Sequence, residues 1–270
     1  MSGDVERQLI VEEVRALREK RNLSQEELAR RIGFSHSTVK NIESGYRVPT
    51  REQAALLDEV LETSGTLGRL EARIRAVPIS PGFRPFVTAE ADARTLKTFE
   101  HTIVPGLLQT EDYARTLVEV YPGLSEDEVA ARVVAKLDRQ RVLDTEAPPW
   151  LWAVVDEQVL RREIGGPAVM AAQLAKLAEF AGRPRVTIQV LSAARPHIAL
   201  LGGFVIAELA KQPTVAYLDS VLEGQTVQDP GMVEMAAVVF DTIRTDAFSR
   251  VESLELIEEG VRQWQQRTAS

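Results

Sequence analysis

Apolar positions fall at helical spacing from the start of the chain. Leu9, Ile10, Val14 and Leu17 share one face of a helix predicted over residues 6–20. Leu28, Ala29 and Ile32 form the stripe of a second helix, and Val39 and Ile42 the inner face of a third, His36 to Glu43. Leu56, Leu57, Val60 and Leu61 do the same for a fourth. The polar residues between these stripes act as start and stop signals. Ser24 is an N-cap, and Glu27 three residues on completes a capping box. Gly33 stops the second helix, because glycine enters a left-handed turn without steric cost. Ser35 caps the third helix, Thr50 and Gln53 repeat the capping box, and Gly65 ends the fourth. A short helix from Leu67 to Ala76 closes the unit. The pattern predicts an all-α domain over residues 1–76, with a helix, a tight turn and a second helix at its centre.

The pattern then changes. VPISPGFRPF holds Pro78, Pro81, Gly82 and Pro85, and reads as a Pro-rich linker over residues 77–86, with Phe83 and Phe86 available to dock on either side. Residues 87–270 mix two periods. Helices are expected at Ala89–Thr98, Thr110–Glu119, Ser125 to about Leu143, Pro167–Ala181, 230–246 and 249–266. Strands are expected in FEHTIVPG, WLWAVVDE, RVTIQVLS, GGFVIAEL and TVAYLDS. This mixture predicts an α+β second domain, and no internal repeat or low-complexity tract interrupts it.

Composition narrows the class. The chain has 270 residues, 44% hydrophobic and 27% charged, as in a globular protein. It has no cysteine, which excludes a disulfide framework and a thiolate zinc site and suits a reducing cytoplasm. The charged N-terminus has no apolar signal region, and no apolar run approaches a membrane span. Basic residues are nearly all Arg and Ala is abundant, a composition of GC-rich bacterial genomes. The net charge of −8 argues at first against nucleic acid. Its distribution reverses that argument. Residues 1–75 are neutral, residues 76–270 carry all of the −8, and residues 15–51 hold 9 basic against 4 acidic side chains. The basic patch coincides with the helix–turn–helix.

On the third helix the outer face carries His36, Ser37, Lys40 and Asn41. A row of hydrogen-bonding side chains at the start of a second helix is what readout of base edges needs. The segments SQEELARRIG, STV and IESGYRVP resemble the helix-turn-helix of the xenobiotic-response-element (XRE) family, which includes the phage repressors. The resemblance implies base contacts from His36, Ser37 and Asn41, and a phosphate-contacting, bracing role for Gln25. It implies backbone contacts from Lys40, Tyr46, Arg47 and Arg51, and a buried ion pair between Arg18 and Glu43. His36 departs from the family, which often has Gln there, so the base it reads does not carry over.

The second half also has a family look. VPGLLQTEDYARTLV, RREIGGPAVMAAQL, RVTIQVL and VESLELIEE resemble the C-terminal domain of WhiJ-like, antitoxin-like regulators of high-GC soil bacteria. That resemblance implies a small partner protein encoded nearby. The stretch LSAARPHIALLGGF departs from it: Pro196 precedes His197 where the family tends to a Gly-His pair.

Other constellations are weaker. His36, His101 and His197 are distant in sequence, without ligand spacing, and call for no metal. Asp156 and Glu157, adjacent on a strand end, point to opposite faces; Asp156 reads as a cap and Glu157 as solvated. Gly165 and Gly166 lack a following phosphate-loop signature and read as a turn before a helix. Tyr113, Trp150, Trp152, Phe204 and Tyr217 read as core before they read as pocket. No catalytic set and no cofactor motif stands out. The expectation is a cytoplasmic, non-enzymatic regulator that binds double-stranded DNA at a pseudo-palindromic operator as a homodimer. Its C-terminal domain is expected to take a small protein partner or, alternatively, a small-molecule ligand.

Overall fold

The computed structural model describes residues 2–45, 48–75, 79–194, 198, 202–220 and 224–268, with the backbone alone for 2–7 and 73–75. The chain forms two compact units, Met1–Pro81 and Gly82–Ser270.

The first unit is helical: α1 (Ser2–Lys20), α2 (Gln25–Ile32), α3 (His36–Glu43), α4 (Arg51–Val60) and α5 (Thr66–Arg75). Its core gathers Ile10, Val14, Leu28, Ala29, Ile32, Val39, Ile42, Leu57, Leu61 and Leu67. Leu9, expected on the inner face of α1, is instead 46% exposed. Ile10 and Val14 set the inward direction, and Leu9 lies one position, 100° of helix rotation, outside it.

The second unit is built on a six-stranded sheet in the order β3-β2-β1-β4-β5-β6. The strands are β1 (Ala93–Glu100), β2 (Trp150–Asp156), β3 (Val186–Leu191), β4 (Phe204–Leu209), β5 (Val215–Leu218) and β6 (Gln225–Val227). β1, β2 and β3 run parallel, and β4, β5 and β6 join antiparallel. The helices are α6 (Arg84–Ala91), α7 (Glu111–Glu119), α8 (Glu126–Gln140), α9 (Glu157–Arg161), α10 (Pro167–Ala181), α11 (Pro230–Asp246) and α12 (Arg250–Thr268). One sheet face carries Leu96, Leu151, Ala153, Val155 and Ile188 and packs with Met170, Leu174 and Leu177 of α10 and Ile257 and Trp264 of α12. The other carries Phe99, Val154, Phe204 and Ile206 against Val233, Phe240 and Ile243 of α11. The domain is α+β, with helices on both faces of a mixed sheet.

Two expected elements are corrected. The helix expected at Ala89–Thr98 ends at Ala91, and β1 occupies Ala93–Glu100. FEHTIVPG is therefore the end of β1 and the loop after it, not a strand of its own. β1 is central and covered on both faces: Leu96 enters one core and Phe99 the other. Such a strand shows little alternation, and its spacing imitates a helix. β6, only three residues long, carries no period of its own in the sequence.

Of the stretch expected as a linker, residues 77 and 78 lie outside the described residues, as does Ala76, the expected end of the helix before it. From Gly82 onward the chain is fastened to the sheet domain. The Gly82 carbonyl accepts from Thr226 N at 3.2 Å and Thr226 Oγ1 at 2.6 Å. Phe83 lies 4.4 Å from the Tyr217 ring and 4.4 Å beneath the Arg139 guanidinium. Phe86 is fully buried.

Candidate nucleic-acid interface

α2 starts where the capping box closes. Ser24 Oγ accepts from Glu27 N at 3.1 Å, and the Glu27 carboxylate accepts from Ser24 N at 2.7 Å. The hydrogen bond from the Ser24 backbone, then that from its side chain, holds the Glu27 carboxyl below its ordinary range. α2 stops at Gly33, which takes φ 74°. A Cβ there would meet no atom within 4 Å, so the glycine is required by the backbone and not by crowding. Ser35 then caps α3 through Thr38 N at 3.3 Å.

These caps fix the rotation of α3. Val39, Ile42 and Glu43 point inward, each 1% exposed, while His36, Ser37 and Lys40 are exposed and Asn41 is half-buried. The Ser37 hydroxyl lies 2.8 Å from Ser35 Oγ, and the Asn41 carbonyl accepts from Ser44 Oγ at 3.1 Å. Arg51 is exposed at the first position of α4, next to the Thr50 cap. Tyr46 and Arg47 lie outside the described residues.

Behind the exposed row sits a buried charge network. Arg18 of α1 donates from Nε to Glu43 Oε1 at 2.5 Å and from Nη2 to Oε2 at 3.0 Å. It also donates to the Leu23 carbonyl at 2.8 Å. Gln25 Nε2 donates to Glu43 Oε2 at 2.8 Å, and the Gln25 carbonyl oxygen faces His36 Nε2 at 3.3 Å. Burial opposes the Glu43 charge more than any other single influence. The hydrogen bonds from Arg18 and Gln25, with the charges of Arg18 and Arg15, outweigh it, and the carboxyl sits below its ordinary range. Arg18 is raised, chiefly by its hydrogen bond to Glu43.

Sequence reasoning missed Arg15. Its guanidinium donates to the Glu43 backbone carbonyl at 2.7 Å and so ties α1 to the end of α3 a second time. Its place one turn before Arg18 on α1 was the available signal.

A second polar cluster was not anticipated at all. Glu100, at the carboxyl end of β1, is 8% exposed. Burial, then the charge of Asp219, pushes its carboxyl up to about 8, against the opposing charge of Lys136. Burial likewise pushes Lys136 down to about 8. Tyr113 rises to about 12 by burial, and its hydroxyl accepts from Val104 N at 3.1 Å. A Cβ on residue 203 would sit 2.6 Å from Glu100 Oε2, so any larger residue at the start of β4 would have to displace this carboxylate. Around it, long amides satisfy the backbone of the VPGLLQT loop. Gln109 Nε2 donates to Val104 O at 2.7 Å, Gln140 Nε2 to Gln109 O at 2.8 Å, and Gln173 Nε2 to Leu108 O at 2.8 Å. Lys136 Nζ reaches Gln109 Oε1 at 3.2 Å, and Lys176 Nζ reaches Gln109 O at 2.7 Å. These residues come from segments far apart in sequence, which leaves no local pattern to find.

Asp156 caps α9 through Gln158 N at 2.7 Å. Glu157 is only 18% exposed at its side chain and pairs with Arg161, so it is not the solvated residue expected. Tyr113 and Phe204 are core, and Trp150 is 47% exposed. Among the described residues no group of three metal-ligating side chains converges. His197 lies outside them.

The fold and the outward row of α3 define a helix-turn-helix DNA-binding regulator. Residues 14–67 match the helix-turn-helix family model. Residues 83–259, more than half of the chain, match a domain of unknown function (DUF5753), and the chain belongs to that family. No curated protein and no solved structure matches it. Among the described residues no helix is long and apolar enough to cross a membrane.

Proposed function

We propose that this chain is a sequence-specific transcriptional regulator, antitoxin-like, whose first unit reads DNA and whose second unit binds a small partner protein. The observation that carries the DNA reading is the rotation of α3. The network beneath it buries Glu43 and leaves His36, Ser37 and Lys40 outward. In this reading His36, Ser37 and Asn41 contact base edges, while Gln25, Lys40, Tyr46, Arg47 and Arg51 meet the backbone. One such unit spans few base pairs, so the operator is pseudo-palindromic and the working form a homodimer in the cytoplasm.

An apolar face on α11 supports the protein partner: Met232, Met235 and Val238 are 52%, 62% and 53% exposed. Among the described residues, cavities beside the sheet include a groove of about 380 Å³ between Trp150, Trp152 and Arg244, a pocket of about 510 Å³ lined by Ala89, Leu209 and Val215, and a space of about 30 Å³ near Thr98. One observation favours the alternative, a small-molecule effector. Glu100 is buried at the carboxyl end of a parallel strand, with the charge of half-buried Lys136 of α8 acting on it, and this is the end at which open α/β sheets take ligands.

The test is fluorescence anisotropy on DNA from upstream of the gene against scrambled DNA, across a salt series. The expected result is a large specificity ratio that Asn41→Ala reduces by about 1–3 kcal/mol at one base step. Unchanged operator preference in Asn41→Ala would show the register on α3 to be wrong. Met235→Glu separates the two partner readings. It should abolish capture of the small protein encoded beside the gene and leave DNA affinity unchanged; intact capture removes α11 from the interface.

A further inference from the structure

We infer that His36 meets its base as a hydrogen-bond acceptor, through Nδ1, because the fold sets its tautomer from behind. The inference rests on the DNA-binding reading above and adds the class of base recognised. Arg18 grips both oxygens of Glu43 at 2.5 and 3.0 Å, and the ionised carboxylate only accepts. The Gln25 atom 2.8 Å from Glu43 Oε2 must therefore be its amide nitrogen. That turns the Gln25 carbonyl oxygen toward His36, 3.3 Å from Nε2. A carbonyl oxygen only accepts, so Nε2 carries the hydrogen. A neutral imidazole has one N–H, and Nδ1 is left as a bare acceptor on an exposed ring.

In the major groove an acceptor finds a donor on two bases alone, at adenine N6 and cytosine N4. Guanine offers O6 and N7, and thymine offers O4 and a methyl group. His36 thus selects adenine or cytosine on the contacted strand. A glutamine at that position, with donor and acceptor together, would not be restricted in this way. Gln25 is a positioning residue in this scheme: it acts on the base only through the proton it places on His36.

Two measurements on the full chain decide the matter. The first is nitrogen-15 NMR of the imidazoles at a pH above the ordinary histidine range, with His36→Gln as the assignment blank. The expected signature is a wholly Nε2–H imidazole in the wild type and, in Gln25→Ala, a measurable Nδ1–H fraction as the ring relaxes to the intrinsic preference of free imidazole. An Nδ1–H signature in the wild type overturns the inference without any DNA present. The second is selection from a randomised duplex library by the wild type, His36→Gln and Gln25→Ala. One position and its symmetry mate should favour adenine or cytosine by about tenfold, and the preference should broaden in both variants. Guanine or thymine at the position that responds to His36→Gln overturns the inference, as does a preference indifferent to His36, and in both cases the DNA-binding reading stands. A wild type that recovers no preference at all overturns both. His36 is exposed, so His36→Gln keeps the fold even if Gln25→Ala weakens it.

Discussion

Each unit of this molecule buries a glutamate beside a cation, and the two glutamates shift in opposite directions. Glu43 of the helical unit is 1% exposed and lies below its ordinary range; Glu100 of the sheet unit is 8% exposed and rises to about 8. Burial pushes both carboxyls up. The difference lies in what meets the charge. Arg18 and Gln25 donate hydrogen bonds straight to Glu43. At Glu100 the favourable influence is the charge of Lys136, whose ammonium bonds Gln109, and the charge of Asp219 works against ionisation. At Glu43 directed hydrogen bonds and two arginine charges outweigh burial, whereas at Glu100 burial is the largest influence and the charge of Lys136 does not offset it. The Glu43 network is a brace under α3, whereas burial holds the Glu100 carboxyl well above its ordinary range.

The sharpest way to break this comparison is to remove the brace. Glu43→Ala leaves the half-buried Arg18 with only the Leu23 carbonyl and Glu19 and should cost the helical unit about 2–3 kcal/mol. Urea unfolding followed by circular dichroism should show the helical unit melting early and the sheet unit unmoved; a loss below about 1 kcal/mol would mean that the network contributes little. Glu100→Gln should do the reverse at about pH 8. It removes a poorly supported charge and should raise the melting temperature of the sheet unit by about 3–6 °C, the size expected for 1–2 kcal/mol. A lower melting temperature would mean that the ionised form is the one the fold uses.

The pH dependences should also oppose each other. Glu43 has a lowered folded value, so its contribution is present above the ordinary carboxylate range and is lost as pH falls through the folded value. Glu100 has a raised one, so its contribution is complete below the ordinary carboxylate value and is lost as pH rises through about 8. Melting curves of the two units between about pH 5 and 8 should show the sheet unit losing stability with rising pH, and Glu100→Gln should flatten that slope. An effect of the same size is expected at the turn. Gly33→Ala forces a Cβ into a left-handed φ of 74° with open space around it, so the cost is that of the backbone alone, about 1–2 kcal/mol. A larger loss in thermal unfolding would point to a contact formed by the turn in another state of the protein.

The helical unit was legible residue by residue because its determinants are local. Capping boxes at Ser24 and Thr50, the glycine at 33 and the stripes of α2 and α3 each lie within a few residues of the element they define. The outward row of α3 follows from them, since a helix capped at Ser35 with Val39 and Ile42 inside has only one face left. In the sheet unit the terminal helices and the buried β2 were legible on the same grounds. β1 was not. A central strand between two cores is written as a nearly continuous mixture of residues, and its partners, β2 and β4, lie more than 50 and 100 residues further on.

By itself, then, the sequence determined two kinds of thing about this protein: where helices start and stop, and that a basic helix-turn-helix precedes an acidic mixed domain. Both depend on neighbours within one turn or on summed composition. Tertiary structure alone decided which side chains meet across that distance. It put Arg15 on the Glu43 carbonyl, turned the Gln25 oxygen toward His36, and closed Glu100, Lys136 and Tyr113 together at the end of β1. Those contacts join residues more than ten positions apart or turn one amide rather than another. Their energies depend on burial and on the orientation of single donors and acceptors, which no local pattern of apolar and polar residues encodes.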